Sequence, residues 1–169
     1  MKSKDGWQDI FTLLMQLSSD GSEENRNLCF NLLGQVSEFK IFSIHQIETC
    51  TQLAENIPEY LKMHTETLAQ LSIQGFQDPS TNVSSAALAA TAALISALAE
   101  EPEVMQFSRV ITPMFQIMQN CVVKNENEKV VVDGLEVIQE CLGMEKSLVK
   151  EHIPVSKIQL QLKLHIDFC

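Results

Sequence analysis

The sequence repeats one local pattern, in which an apolar helical stripe, a short polar turn and a second apolar stripe follow one another. Aligning the sequence with itself at an offset of 58 residues pairs Ser22 with Ser80 and Val36 with Leu94. Apolar residues three and four positions apart mark one face of a helix, and that face needs a neighbour to be buried. A chain that repeats such pairs predicts stacked antiparallel helix pairs, each covering the next.

The pattern predicts one array over residues 1–169, an all-α superhelix of the HEAT or armadillo type and a right-handed solenoid of antiparallel helix pairs. Pro113 and Pro154 lie 41 residues apart, each near the start of the first helix of a pair. Proline is tolerated there because its missing N–H has no helical partner in a first turn. A period of about 40 residues is that of HEAT and armadillo arrays.

Five segments divide the chain. The segment between the first two pairs is about 16 residues longer than a connection in such an array, and it is interpreted as an irregular insertion. The predicted pairs cover about 7–38, 64–100 and 106–143, a partial pair covers 152–164, and the insertion covers about 39–63. Within the first pair, Ser22 is placed to cap the second helix.

The composition favours an ordered protein with a preference for basic partners. Hydrophobic residues make up 45% of the chain and the formal net charge is −10. This charge opposes nonspecific attraction to nucleic acid or to anionic lipid. Five cysteines form no Cys-x-x-Cys pair, and at least three occupy apolar helical positions. Such thiols behave as small hydrophobic residues, which predicts a reducing compartment.

The motifs of the common enzyme classes are missing from the sequence. It contains no glycine-rich phosphate loop and no Gly-x-Ser-x-Gly nucleophile motif. No two of the four histidines have the i, i+4 spacing of a helical metal site. The N-terminus lacks the apolar core of a signal peptide, and the longest weakly polar run, 85–99, is too short to cross a bilayer. We therefore expect no enzymatic activity, no cofactor, no metal and no membrane insertion.

One group of acidic residues is a candidate binding site for protein. Asp133, Glu136 and Glu140 are spaced to share one face of a helix. The opposite face is predicted to be the apolar stripe of Val131, Leu135, Ile138 and Leu142. Second helices of stacked pairs usually line the concave side, where an acidic stripe can meet the lysines of a partner. The alternative is a solvated face that only keeps the protein soluble.

Two stretches of the chain resemble a known family. Residues 77–87 have the Asp-Pro-x-x-x-x-Val-x-x-x-Ala form of a HEAT turn and second helix. Residues 104–114 are similar to the first helix of the next repeat in β-karyopherins of the importin-4 and importin-5 branch. Lys4 and Trp7 match the Lys-x-x-Trp that opens an earlier repeat there. The resemblance covers about 4–38 and 68–162 and places the chain in the N-terminal third of an importin-β (karyopherin-β) nuclear transport receptor.

The resemblance implies a function in nuclear import. Receptors of this family carry basic cargo with nuclear-localisation-type segments between the cytoplasm and the nucleus, release it on binding the GTPase Ran, and contact nucleoporins. For this chain the resemblance implies a scaffold that binds basic cargo. The alternative is a HEAT or armadillo scaffold or adaptor subunit of another pathway, of the phosphatase or chaperone type, since the same helical pattern allows it.

Overall fold

The computed structural model of the chain describes residues 3–42, 59–124, 127–143 and residue 148, with side chains from residue 8 to 37 in the first of these ranges. Its long helices are α1 (Ser3–Ser18), α2 (Glu23–Phe42), α3 (Thr65–Phe76), α4 (Thr81–Ala97), α5 (Ile111–Lys124) and α6 (Glu128–Gly143), with a 3-10 helix at Pro102–Val110. Residues 59–63 are also helical. The described residues contain no strand, and the predicted all-α array of helix pairs is confirmed.

The first two turns have the same structure, 58 residues apart. The Asp20 carboxylate accepts a hydrogen bond from the Ser22 backbone N–H at 2.7 Å, and Asp78 accepts the same bond from Ser80 at 2.8 Å. Such an Asx turn reverses the chain in a few residues, so the two helices of each pair run back along each other. The Ser22 hydroxyl also accepts the Asn25 N–H at 3.4 Å, which confirms the predicted cap of α2.

Equivalent positions of the second helices are buried in all three pairs. Moving from α2 to α4 takes 58 residues and from α4 to α6 takes 47, because the first connection is longer. The buried or half-buried sets are Cys29, Leu33 and Val36 in α2, then Ala87, Thr91 and Leu94 in α4, then Gly134, Ile138 and Cys141 in α6. The core therefore continues from one pair to the next.

The third pair begins later than the resemblance to a family first helix implied. Residues 102–110 form a 3-10 helix that packs on α3, and the α-helix starts at Ile111. Val104, Phe107 and Val110 are all buried, and their three-residue spacing places them on one side of a helix with three residues per turn. Pro113 is in the first turn of α5, as predicted.

Two predicted segments are only partly covered by the structure. The predicted insertion at 39–63 overlaps the end of α2 at one side and the helical residues 59–63 at the other. Its remainder, together with the partial pair at 152–164 and Pro154, lies outside the described residues.

The second helices pack on one another more extensively than the first helices do. A Cβ added at Gly34 of α2 would lie 3.6 Å from the Ala90 backbone of α4, which is an ordinary van der Waals contact, so these two second helices approach closely there. Gly75 of α3 is held more tightly, since a side chain there would overlap the Phe30 ring of α2 and come within 2.5 Å of the Ala87 Cβ of α4. Because helices on the concave side of a solenoid are closer together, we assign α2, α4 and α6 to the concave side.

Candidate protein-binding surface

The concave side has one exposed row of side chains on each second helix, which we call the inner face. Its members at equivalent positions are exposed or half-buried. They are Asn31 and Gln35 on α2, Ala89 and Ala93 on α4, and Glu136 and Glu140 on α6. The middle helix thus offers only methyl groups, while longer polar side chains border it on both sides. The inner face is therefore apolar on α4 and acidic on α6.

Asp133 does not belong to this face, and the predicted acidic stripe is wrong for this residue. Its side chain is buried, and its carboxylate accepts hydrogen bonds from the Ser85 hydroxyl of α4 and from Lys129. Glu136 is exposed and Glu140 is half-buried, so these two remain candidates for a partner's lysines. The structure separates one structural acid from two accessible ones.

The predicted apolar face of α6 is correct at Ile138 and at the half-buried Val131 but wrong at Leu135 and Leu142. Val130, Gly134, Val137 and Cys141 are buried with Ile138, whereas Leu135 and Leu142 are exposed by 36% and 62%. Gly134 lies on the buried side against α5, since a Cβ there would come within 2.5 Å of the Met118 sulfur. A hydrophobicity pattern gives glycine little weight, so it favoured the larger residues one step around the helix.

Each junction between pairs is joined by polar contacts. Between the second and third pairs, the Ser85 hydroxyl of α4 donates to the Asp133 carboxylate of α6 and accepts from Lys129, which itself pairs with Asp133 within α6 at 2.8 Å. Ser85 was not identified from the sequence as part of any site. Lys129 and Asp133 have the i, i+4 spacing of a helical ion pair, which was the signal available in the sequence. Only the folded structure shows that they lie at an interface between helices.

Between the first and second pairs, Arg26 binds Asp78 through two nitrogens at 2.6 and 3.1 Å. Burial raises the pKa of Asp78, but the hydrogen bonds from Arg26 and from the Ser80 N–H outweigh it and bring the pKa below its usual value. The bond to Asp78 likewise raises the pKa of the Arg26 guanidinium. Both groups are therefore charged at neutral pH and fix the register of α2 against the second turn.

A groove of about 440 Å³ lies at the turn end of the second and third pairs. Its apolar side includes Pro79, Pro113 and Ile117. The groove is also lined by the exposed amides of Gln77, Gln116 and Asn120, so it offers hydrogen bonds and apolar contact together. It is on a different part of the surface from the inner face.

The described residues offer little for covalent or metal chemistry. The buried thiols Cys29 and Cys141 are free, and burial raises the pKa of each to about 12. A thiol of this kind is a poor nucleophile at neutral pH. Within the described ranges no three His, Cys, Asp or Glu side chains come together to hold a metal ion, and no helix there is long and apolar enough to cross a membrane.

The comparisons with known proteins give one match. A family model described as IPO5-like, TPR repeats matches residues 1–155. No curated protein and no solved structure matches the chain. The matched region contains every helix described above, including both junctions and the inner face. The chain therefore belongs to the IPO5-like repeat family and is a HEAT-repeat scaffold of the importin-β type.

Proposed function

We propose that the chain binds basic protein segments on its inner face, as part of an import receptor that works in the cytoplasm and the nucleus. The observation that carries this proposal is the position of Glu136 and Glu140 beside the alanine side chains of α4, Ala89 and Ala93. Ala89 and Ala93 leave room for an incoming chain, and the carboxylates at the edge are within reach of its lysines.

The overall charge supports the same partner. The chain has 12 Lys and Arg against 22 Asp and Glu, giving a net charge of −10. A negative field of this kind raises the encounter rate of a cationic ligand and lowers that of nucleic acid. Each exposed ion pair contributes only about 0.2–1 kcal/mol, so useful affinity needs several lysines on the partner. In a longer receptor, Ran and nucleoporins are further expected partners.

Binding to a labelled peptide tests the proposal. A lysine-rich nuclear-localisation-type peptide and a peptide of the same length with alternating lysine and glutamate are titrated with the chain, and fluorescence anisotropy is measured at low salt. We expect saturable binding of the first peptide and at least tenfold weaker binding of the second. Equal affinity for the two peptides would contradict a basic-cargo site and leave a scaffold of another pathway.

A further inference from the structure

The row of inner-face side chains on α4 is open although α4 has a neighbour on each side. Ala89 is exposed and Ala93 is half-buried, while α4 packs against α2 on one side and against α6 on the other. A further repeat beside α2 or α6 would give that helix the second neighbour that α4 already has. The inner face is therefore open because of its position in a stacked array, and further repeats at either end would not cover it.

The inner face changes its chemistry from one helix to the next. On α2 it carries the carboxamides of Asn31 and Gln35, which can both donate and accept hydrogen bonds. Asn31 donates to the Asn27 side-chain oxygen at 2.7 Å, which leaves its own carbonyl oxygen as an acceptor. On α4 the face carries the methyl groups of the two alanines, and on α6 it carries two carboxylates. A partner that crosses the three helices meets these groups in a fixed order.

Nearer the connecting turns, the same rows carry a different order of charges. The equivalent positions there are Glu24 on α2, Asn82 on α4 and Lys129 on α6, and all three are exposed. Lys129 pairs with Asp133 at 2.8 Å, but its side chain is 73% exposed, so its charge also faces a partner. A cationic side chain is therefore attracted to α6 only about two turns further along, where the two glutamates lie.

The distance between the helices sets the spacing along a partner. Packed helices lie about 8–10 Å apart, and an extended chain advances about 3.3 Å per residue. One step from α6 to α4, or from α4 to α2, therefore corresponds to about three residues of an extended segment. An extended segment also leaves its backbone N–H and C=O groups available to the carboxamides of α2, whereas a helix uses most of them internally.

We propose that the inner face selects an extended segment with cationic side chains at one end only and an apolar side chain about three residues further on. The cations lie over Glu136 and Glu140, and the apolar side chain lies over the α4 alanines. The backbone beyond it bonds Asn31 and Gln35. A second cationic cluster at that end would meet carboxamides instead of acids. This inference rests on the proposed function and adds to it the order of residues in the partner.

Fluorescence anisotropy of labelled peptides with the full chain at low salt tests this order. Two peptides of the same composition carry a pair of lysines at one end and a single leucine either three or six residues further on. Each is also made with the reverse order of residues, since the two chain directions place the same side chains over the same helices. In one direction, the peptide with the leucine at three is expected to bind at least fivefold tighter than its isomer.

A further peptide with serine in place of the lysines separates this inference from the proposed function. It is expected to bind at least tenfold more weakly than either isomer. If the lysines matter but the isomers bind equally in both directions, the order of residues is overturned and the basic-cargo site stands. If serine binds as well as lysine, both are overturned.

A variant of α4 assigns the preference for leucine to its helix. Ala89→Gln with Ala93→Gln fills the space over α4 and is expected to reduce the difference between the isomers to less than twofold, while lysine still matters. Glutamine is a good helix former, and circular dichroism checks that α4 is intact. The control Ala99→Gln, at an exposed position just after α4, is expected to keep the full difference. A full difference in the folded double variant overturns the proposal.

The contribution of α2 is separated from that of α6 by its dependence on salt. Asn31→Ala with Gln35→Ala is expected to weaken the leucine-at-three peptide about threefold and to leave the salt dependence unchanged, because no charge is removed. Glu136→Gln with Glu140→Gln is expected to weaken binding and also to flatten the salt dependence. Full affinity in the folded α2 variant would overturn the backbone contacts assigned to its carboxamides.

Discussion

Asp133 of α6 accepts a hydrogen bond from the Ser85 hydroxyl of α4, across the junction between the second and third pairs. Both residues are buried, and Lys129 closes the group with an ion pair to the same carboxylate at 2.8 Å. A buried acid whose partners are all supplied by the protein acts in stability and register, not in the recognition of a ligand. The more accessible acidic residues of this helix, Glu136 and Glu140, lie further along it towards its C-terminus.

Replacing Asp133 therefore affects folding more than binding. The variant Asp133→Lys places a second cation beside Lys129 and leaves the Ser85 hydroxyl without its acceptor. The Lys129 side chain is itself mostly exposed, so we expect the free energy of unfolding to fall by about 1–3 kcal/mol, the scale for leaving a buried polar group without its hydrogen-bond partner. The exposed control Glu136→Lys is expected to change it by less than about 0.5 kcal/mol. Urea unfolding followed by circular dichroism measures both, and equal effects would contradict the assigned burial.

The helices, the first two turns and the pairing could be predicted from the sequence because local signals specify them. Asp20 and Asp78 make the same turn from the same residue pattern, and apolar spacing locates each helix. The face that α6 buries could not be predicted, because apolar residues surround more than half of it. That face depends on which neighbours lie beside the helix, such as Met118 of α5 against Gly134.

The residues of the candidate site could be predicted only in part, for the same reason. Asp133, Glu136 and Glu140 share a helical face by spacing alone, but burial separates the first from the other two. The 3-10 helix at Pro102–Val110 was missed for a different reason, since its apolar residues recur every three positions and a search for a period of 3.6 joins them to α5. Both errors concern packing between elements, which a local pattern does not contain.

Gly75 is expected to be intolerant of a side chain. The variant Gly75→Ala drives a methyl group into the Phe30 ring and the Ala87 side chain, and overpacking of this kind costs about 1–3 kcal/mol. Thermal unfolding monitored by circular dichroism gives the loss. The matched control Gly21→Ala is expected to be neutral, because nothing lies within 4 Å of the new Cβ and its φ is negative.

A compensating substitution makes the Gly75 prediction specific. The variant Phe30→Leu removes ring atoms from the clash, so it is expected to lower the additional cost of Gly75→Ala when the two are combined. Additive effects in the double variant would show that the lost stability comes from another cause, such as the helix itself.

Acid is expected to weaken the junction between the first and second pairs. The folded protein holds the pKa of Asp78 below its unfolded value of about 3.9. The unfolded state therefore binds the proton first, so the contribution of Asp78 is full above about pH 4 and is lost as the pH falls through the folded-state pKa. The free energy of unfolding, measured with denaturant between pH 6 and 3, is expected to fall less steeply with falling pH in Asp78→Asn than in the parent. An unchanged slope would contradict the role of this pair.

The buried thiols are expected to react only when the protein opens. With a pKa of about 12, Cys29 and Cys141 contain almost no thiolate at pH 8. Alkylation by iodoacetamide, read by peptide mass spectrometry, is expected to be at least a hundredfold slower in the native protein than in urea at these two positions. Rapid native labelling at either position would place that thiol at the surface.

The central claim is that Glu136 and Glu140, and not Asp133, present the acidic edge of a cargo surface. The most direct measurement is the affinity of a lysine-rich peptide for the variant Glu136→Lys with Glu140→Lys, compared with Asp9→Lys with Glu100→Lys, which changes the net charge equally. At low salt the first variant is expected to lose about 1–2 kcal/mol of peptide binding free energy, which raises Kd roughly five- to thirtyfold. At 0.5 M salt the loss is expected to be much smaller, because the charges are screened. Equal affinity of the two folded variants at low salt would contradict the claim.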